Sequence, residues 1–276
     1  MTATTSPADS GNSADPAMSH VVVSADGTGI AVSRLGSGPA VVLVDGAMCY
    51  RAAGPMSAVA ANLAGRFTAV TYDRRGRGES TDTAPYAIDR EVDDLRAVIE
   101  WSGGSAALYA MSSGGALALR AATSGLPITA LVLYEPPFAE VADPGAATYT
   151  AALRSALAAG RRGEAVGAFL TRVGVPAEGI EGMRRSPGWP SMEAIAPTLA
   201  YDDAMMAGGV VPREITARVR VAVLVAAGSA SPAFLIDGAR ATAEAIDGGR
   251  FAVLGGQTHD VAPAVIAHAV TEFLVG

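Results

Sequence analysis

Residues 108–117 read LYAMSSGGAL, an apolar run that meets two serines and two glycines before helix-forming residues begin. This order predicts a β-strand that passes directly into a helix at Ser112. Ala110 and Gly114 stand two positions before and after Ser112, so a sharp turn here would have small residues on both sides. Such a turn lifts a serine hydroxyl above the sheet, beside the positive end of a helix. Ser112 is therefore our candidate nucleophile.

Two alternatives stay open at this turn. Ser113 is a second candidate, but its flanking residues would be Met111 and Gly115, and a methionine is too large for the first of these places. Ser112 could also serve only as the N-cap of the helix, with no chemical role. We favour Ser112 as the nucleophile because of the pattern that surrounds the turn.

Strands and helices alternate on both sides of this turn. Apolar and β-branched runs predict strands at residues 20–25, 30–35, 40–44, 67–72, 106–109, 128–134, 220–226 and 250–254. Helical periodicity predicts helices at residues 53–64, 88–101, 113–123, 233–246 and 262–274. The alternation favours an α/β fold, with a mostly parallel central sheet of about eight strands flanked by helices. Asp26-Gly27 predicts a hairpin between the first two strands.

Residues 136–218 interrupt this alternation, because they contain helical patterns and no convincing strand. We expect helices near residues 146–159, 163–173, 177–185 and 192–201. The segment follows the sixth strand and is predicted to form a helical lid over the carboxyl ends of the strands, where open α/β sheets bind ligands. The predicted domains are a disordered tail at residues 1–19, a core at 20–135 and 219–276, and the lid at 136–218.

The composition argues against several other classes of protein. The net charge is −7 and no run of Lys or Arg is present, so we expect no nucleic-acid or membrane partner. Cys49 is the single cysteine, which excludes an intrachain disulfide framework, and no Cys/His cluster indicates a metal site. Residues 1–19 lack the features of a secretory signal, so a cytoplasmic location is expected. No cofactor is predicted, and the sequence indicates no oligomeric state.

Four segments, in order along the chain, resemble the α/β-hydrolase superfamily, and the resemblance extends over roughly residues 20–276. They are VVLVDGA at residues 41–47, YDRRGRGES at 72–80, the serine turn, and GGQTHD at 255–260. In the family, these places hold a strand with a His-Gly-x loop, a D-x-R-G-x-G-x-S turn, the nucleophile elbow and a terminal Gly-x-x-His. The resemblance is to the branch of serine hydrolases that carry a lid.

This resemblance implies roles for particular residues. Ser112 would be the nucleophile, and His259, on the loop after the last strand, would be its general base. The other two histidines fall in the first strand and the last helix, so His259 is the one in a catalytic loop. The backbone N–H groups of Ala47 and Ser113 would form the oxyanion hole.

The sequence departs from the family pattern in two places. Asp45 replaces the histidine before the glycine, where it could bind a polar substrate group, repel an oxyanion or hold the loop. Ser231 stands where the family commonly has the aspartate of the triad. Some members carry the acid one strand earlier, just before the lid, and Glu135 occupies that place. The alternatives are Asp260, Asp237 or no acid, with Glu135 then a structural carboxylate at the hinge of the lid.

Residues near the two loops and in the lid are candidates for contact with substrate. The predicted substrate-binding residues are Asp45, Met48, Cys49, Met111 and Trp189. For Trp189, packing inside the lid is an equal alternative. The acid and the two arginines at residues 73–75 are expected to buttress the top of the sheet through charge-assisted hydrogen bonds.

The leading hypothesis is a cofactor-independent serine hydrolase that acts on an ester, thioester or lactone of a small to mid-sized, partly apolar molecule. The departures at Asp45 and Ser231, together with the milder one of Ala110 in place of the first glycine of the elbow, support a second hypothesis. It is an enzyme of the same fold that performs elimination, cyclisation, decarboxylation or acyl transfer. A third is a non-catalytic receptor that binds a small molecule under the lid. The fold alone does not choose among them.

Overall fold

The computed structural model describes residues 19–276, so the disordered tail predicted at residues 1–19 lies, except for Ser19, outside the described residues. One sheet contains eight strands. They are β1 (His20–Val23), β2 (Gly29–Leu35), β3 (Ala40–Val44), β4 (Thr68–Tyr72), β5 (Ala106–Met111), β6 (Ile128–Tyr134), β7 (Ala222–Gly228) and β8 (Arg250–Leu254). Their spatial order is β1-β2-β4-β3-β5-β6-β7-β8. The predicted fold class is confirmed.

The helices, in chain order, are α1 (Met56–Leu63), α2 (Ile88–Trp101), α3 (Ser113–Ala122), α4 (Ala146–Ala158), α5 (Arg162–Arg172), α6 (Ala177–Arg184), α7 (Trp189–Ile195), α8 (Leu199–Met206), α9 (Arg213–Thr216), α10 (Ala233–Glu244) and α11 (Pro263–Val275). Six of them, α4 to α9, lie between β6 and β7. In the part of the chain that the structure describes, no helix combines the length and the apolar character that crossing a bilayer requires.

The sheet is buried on both faces, which explains the continuous apolar runs of its central strands. β1 and β4 each pair with β2 in antiparallel fashion, and every other pairing is parallel. Successive side chains point to opposite faces, so Leu108 packs in the layer formed with α2, α3 and α10, while Tyr109 packs in the layer formed with α1 and α11. Because helices cover both faces, no strand in the centre needs polar residues at alternate positions.

The predicted hairpin joins β1 to β2. Gly27 has a φ of +87°, in the left-handed region that favours glycine, and the Asp26 carboxylate accepts a hydrogen bond from the Thr28 N–H at 3.1 Å. The Asp26-Gly27 pair therefore forms the turn for the physical reason that its sequence suggested.

The segment from the residue after Glu135 to the start of β7, residues 136–221, is here called the helical insertion. The single helix expected at residues 192–201 is wrong, because a 3₁₀ turn at Ala196–Thr198 separates α7 from α8. Pro197 lies in that turn, where its ring and missing N–H prevent one continuous α-helix. The short helix α9 was not expected, and a single turn of helix gives too little periodicity to recognise.

The helical insertion has a hydrophobic core of its own. Nine buried residues form it: Leu153, Ala156, Ala165, Val166, Leu170, Ile180, Trp189, Ala196 and Leu199. The partly buried side chains of Ala47 and Met48, from the loop after β3, pack against this core. The insertion therefore contacts the sheet domain at the loop that follows β3, near the carboxyl end of that strand.

Two helical glycines provide a test of the packing between α10 and the start of the insertion. A Cβ on Gly238 would lie 1.9 Å from the carbonyl oxygen of Phe138, which is backbone and cannot swing away. A Cβ on the exposed Gly182 would meet nothing within 4 Å. Gly238→Ala should lower the free energy of unfolding by about 1–3 kcal/mol or more through overpacking. Gly182→Ala should raise it by about 0.5–1 kcal/mol, because alanine favours helix.

Urea unfolding of both variants measures these changes. Equal effects of the two alanines would contradict the close approach of α10 to Phe138.

Candidate active site

Ser112 lies between β5 and α3 in a strained backbone conformation. Its φ is 55° and its ψ is −132°, a region that residues with side chains rarely occupy. The Ser112 N–H donates a hydrogen bond to the Tyr134 carbonyl at 3.0 Å, which ties the turn to the end of β6. The sequence therefore forms a sharp strand-to-helix turn at the predicted place.

Glycines on both sides allow this turn to approach the neighbouring loop closely. A Cβ on Gly114 would lie 2.6 Å from the Val44 carbonyl oxygen and 2.7 Å from that of Asp45. A Cβ on Gly46 would lie 2.9 Å from the Cβ of Ser112. Backbone atoms of the loop after β3 thus come within reach of whatever reacts at the Ser112 hydroxyl.

Glu135 and His259 form a direct hydrogen-bonded pair at the same edge of the sheet. His259 Nδ1 lies 2.7 Å from Glu135 Oε2. The other carboxylate oxygen, Oε1, accepts hydrogen bonds from the Gly228 N–H at 2.7 Å and the Ser231 hydroxyl at 2.5 Å. Glu135 is fully buried, and its φ is +44°. Burial alone would raise its pKa, but hydrogen bonds from His259, Ser231 and Gly228 outweigh it, so the pKa lies below the usual range.

These contacts indicate which of the candidate acids interacts with His259. Ser231, which stands where the family commonly has aspartate, donates to Glu135 instead of replacing it. Asp260 and Asp237 are exposed. Glu135 is therefore the carboxylate that orients the His259 ring among those considered, while the catalytic role of the pair stays a prediction.

Tyr134 brings the histidine loop to the nucleophile turn. Its backbone carbonyl accepts from Ser112, and its hydroxyl donates to the Thr258 carbonyl at 2.5 Å. Within residues 19–276, no hydrogen bond joins the Ser112 hydroxyl to the His259 ring. Catalytic hydrogen bonds commonly tighten only when substrate is bound, so this arrangement is compatible with a nucleophile and its base.

A buried ionic cluster lies behind the loop after β3. Arg74, Arg75 and Arg77 are each 1% exposed. Arg74 forms a two-pronged ion pair with Glu91, and Arg75 forms one with Asp94. These contacts agree with the structural role expected for residues 73–75, and Asp73 itself accepts from the backbone N–H groups of residues 51 and 79.

Several members of this cluster were not predicted from the sequence, among them Arg77 and Asp202. Asp202, on α8 of the helical insertion, accepts hydrogen bonds from Arg74 Nη1 at 2.7 Å, Arg77 Nη2 at 2.6 Å and the Ser113 hydroxyl at 2.8 Å. Ser113 is a predicted oxyanion-hole residue, and here its hydroxyl is buried against α8. The available signal was a charged residue within the otherwise apolar start of α8, but its partner lies 125 residues earlier.

Asp45 is almost fully buried, at 2% exposure, and its Oδ1 atom has no hydrogen-bond partner among the described residues. Burial raises its pKa to about 7, although the nearby Arg77 and Arg74 act in the opposite direction. An aspartate in this position carries a proton under mildly acidic conditions.

The other predicted substrate-binding residues are dispersed around this edge. Met48 is partly buried against the core of the insertion, and Met111 is the half-buried last residue of β5. Burial raises the pKa of the Cys49 thiol to about 12, which disfavours a nucleophilic thiolate. Trp189 is 6% exposed inside the insertion core, with the Arg184 guanidinium 4.9 Å from its ring centre. Trp189 thus has the packing environment that was the alternative to substrate contact.

No group of three or more His, Cys, Asp or Glu within residues 19–276 is arranged to hold a metal ion. A cavity of about 590 Å³ opens beside the amino-terminal ends of β3 and β5, lined by residues that include Ala40, Phe67 and Ala107. It lies at the opposite edge of the sheet from Ser112, and open α/β sheets bind their ligands at the carboxyl edge. The candidate active site is therefore the set of loops around Ser112.

Comparison with known proteins agrees with this geometry. Residues 36–272 match the sequence model of the alpha/beta hydrolase family, and the chain belongs to that family. It is similar to a solved alpha/beta hydrolase from Sphaerobacter thermophilus, with 46% sequence identity and a TM-score of 0.84 over 93% of this chain and 100% of the other. Family membership supports an enzyme of the hydrolase type.

More distant solved structures share the fold. A thermophilic esterase from Thermogutta terrifontis is 20% identical, with a TM-score of 0.71 over 94% of this chain and 98% of the other. An enol-lactonase from Burkholderia xenovorans is also 20% identical, with a TM-score of 0.64 over 93% and 100%. A search of curated proteins finds no match to this chain.

The orienting role of Glu135 can be tested with the near-isosteric Glu135→Gln. An amide cannot stabilise an imidazolium, and it no longer selects the productive tautomer of His259, so kcat should fall by roughly 10²- to 10⁴-fold. Asp260→Asn is the matched control, because this exposed acid adjoins His259 in sequence, and it should leave kcat within about twofold. Steady-state kinetics on a common ester decides, and a larger loss in the Asp260 variant would contradict the assignment.

The raised pKa of Asp45 makes a separate prediction about stability. Between about pH 4 and pH 7 the folded protein retains a proton on Asp45 that an unfolded aspartate has released. The stability that protonated Asp45 contributes to the fold is therefore fully present below pH 4 and is lost as the pH rises through 7. Asp45→Asn should therefore gain stability relative to wild type from pH 4 to pH 8, by up to about 4 kcal/mol.

Urea unfolding across this pH range measures the difference between variant and wild type. Asp247→Asn, at an exposed aspartate, is the control and should show no comparable trend. A difference for Asp45→Asn that does not change with pH would contradict a neutral buried acid.

Proposed function

We propose that this protein is a cofactor-independent serine hydrolase that cleaves carboxylic esters, thioesters or lactones through an acyl-enzyme on Ser112. The observation that carries the proposal is the Glu135–His259 hydrogen bond of 2.7 Å, formed beside a serine with strained backbone geometry. A buried carboxylate, an imidazole and a serine at the end of parallel strands are the three groups that acyl transfer requires.

The reaction follows from the roles of these three groups. His259 Nε2 takes the proton of the Ser112 hydroxyl as the oxygen attacks the substrate carbonyl carbon. The C–O or C–S bond of the substrate then breaks, and the leaving group receives the proton from His259. Water attacks the acyl-enzyme with His259 again as base, which releases the acid and restores Ser112. Glu135 stays ionised throughout and stabilises the imidazolium.

The oxyanion of each tetrahedral intermediate is proposed to bind to the backbone N–H groups of Ala47 and Ser113. Ser113 is the first residue of α3, so its N–H is not used within the helix. The backbone of Gly46 lies close to the Ser112 side chain, which supports the placement of the Ala47 N–H beside the substrate carbonyl that Ser112 attacks. Stabilisation of this charge is usually the largest catalytic contribution in such enzymes.

The proposed substrate is a small to mid-sized, partly apolar molecule held beneath the helical insertion. The side chains of Ala47 and Met48 join the apolar core of the insertion, which supports an apolar surface next to the oxyanion loop. The esterase and the enol-lactonase among the solved structures of the same fold support ester and lactone substrates. In this proposal the insertion acts as a lid, and the partner is a small molecule.

A fluorophosphonate probe tests the nucleophile directly. The wild-type protein should be labelled at Ser112, and Ser112→Ala should abolish both labelling and hydrolysis of short p-nitrophenyl esters. Ser113→Ala is the matched control at the adjacent serine, and it should still be labelled at Ser112. Mass spectrometry of the labelled peptide gives the site.

Two results would contradict the proposal. Folded wild-type protein that is not labelled would point to a receptor. Turnover without oxygen from labelled water in the product would point to a non-hydrolytic reaction of the same fold.

A further inference from the structure

We propose that Asp202, which belongs to the helical insertion, is a positioning residue that fixes both backbone donors of the oxyanion hole. This inference rests on the proposed function, because the oxyanion hole matters only if Ser112 attacks a carbonyl group. Asp202 is 5% exposed and touches no part of Ser112, His259 or Glu135 through the contacts described above. It would act through two separate chains of hydrogen bonds, one to each donor.

The first chain leads to the Ser113 donor. The Ser113 hydroxyl donates to Asp202 Oδ1 at 2.8 Å, and the whole residue is 4% exposed. Ser113 follows a strained residue and begins α3, so its backbone has fewer neighbouring hydrogen bonds than a residue within the helix. The bond from its side chain to a buried carboxylate therefore restrains the direction of its N–H group.

The second chain leads to the Ala47 donor. The N–H of Ala47 and the C=O of Gly46 belong to one trans peptide unit, so they point in opposite directions. Arg77 Nη1 donates to the Gly46 carbonyl at 2.5 Å, and Arg77 Nη2 donates to Asp202 Oδ2 at 2.6 Å. Fixing the carbonyl toward Arg77 fixes the N–H of Ala47 on the other side. Glycine at position 46 leaves this peptide free to rotate unless such an anchor holds it.

The two chains use different carboxylate oxygens of Asp202, so both oxygens are needed to hold them together. Its Oδ1 accepts from Arg74 and Ser113, and its Oδ2 accepts from Arg77. Burial alone would raise its pKa, but the adjacent Arg74 and Arg77 outweigh burial and hold the pKa below the usual range. Among residues 19–276, Asp202 is the carboxylate that forms an ion pair with Arg77. An amide in this place would offer one acceptor oxygen and would leave Arg77 without its counter-charge.

Asp202 links the helical insertion to the oxyanion hole. Because Asp202 lies on α8, a movement of α8 away from the sheet would loosen both oxyanion donors together.

The test uses the near-isosteric Asp202→Asn in the full-length protein. Removal of one oxyanion donor costs about 10²- to 10³-fold in kcat, and misplacement of two donors should cost about 10- to 100-fold here. KM should change less than threefold, since the ground-state carbonyl depends little on the hole. The inhibition constant of a trifluoromethyl ketone, which forms a tetrahedral oxyanion on serine, should rise by the same factor as kcat falls.

Two control variants separate positioning from general destabilisation. Asp203→Asn changes the next residue of α8, whose carboxylate accepts from Thr150, and it should leave the inhibition constant within twofold. Glu91→Gln weakens the same arginine cluster through Arg74 but leaves the contacts of Asp202 to Ser113 and Arg77. It should lower the melting temperature without raising the inhibition constant.

Ser113→Ala keeps the inference testable if Asp202→Asn does not fold, because it removes a single hydrogen bond. It should raise the inhibition constant three- to tenfold. A folded Asp202→Asn variant, or failing that Ser113→Ala, with kcat and inhibition constant within twofold of wild type would overturn the inference. Labelling of Ser112 in the wild type would still stand in that case, whereas absence of labelling would overturn the proposed function instead.

Discussion

The hydrogen bond between Glu135 and His259 is the interaction on which the candidate active site depends, since it joins residues that are 124 positions apart. The two residues follow β6 and β8, which run parallel with β7 between them, so their loops emerge at the same edge of the sheet. The carboxylate also accepts from the Gly228 N–H and the Ser231 hydroxyl. A buried acid with all these partners has one orientation, and it transmits that orientation to the imidazole ring.

Much of the fold could be predicted from sequence because its elements are bounded by clear local signals. β3, α2, β6 and β8 begin and end where the apolar runs and the helical periodicity begin and end. The place of Glu135 was predicted from the family resemblance, because some members carry the acid just before the lid and Glu135 directly follows a strand at that place. For these strands and this helix the information lies within about ten neighbouring residues, and local patterns carry it well.

What the sequence did not reveal depends on contacts between distant segments. The pairing of Arg77 with Asp202 spans 125 residues, and neither residue lies in a local pattern from which its partner could be predicted. The donation from Ser231 to Glu135 spans 96 residues, so the serine appeared only as a missing acid. The helix expected at residues 192–201 is interrupted for a local reason, because Pro197 breaks it although the apolar periodicity continues on both sides.

The buried arginines limit how proteins of this design can diversify. Arg74, Arg75 and Arg77 are neutralised by acids from α2, from the first hairpin and from the insertion. A guanidinium ion withdrawn from water costs several kcal/mol unless a counter-charge accompanies it. If an insertion from another protein had no acid at the place of Asp202, Arg77 would stay buried in the sheet domain without a counter-charge, and the domain would be destabilised. The insertion and the segment at residues 74–77 that carries these arginines are therefore expected to be inherited, and exchanged by engineers, as a single unit.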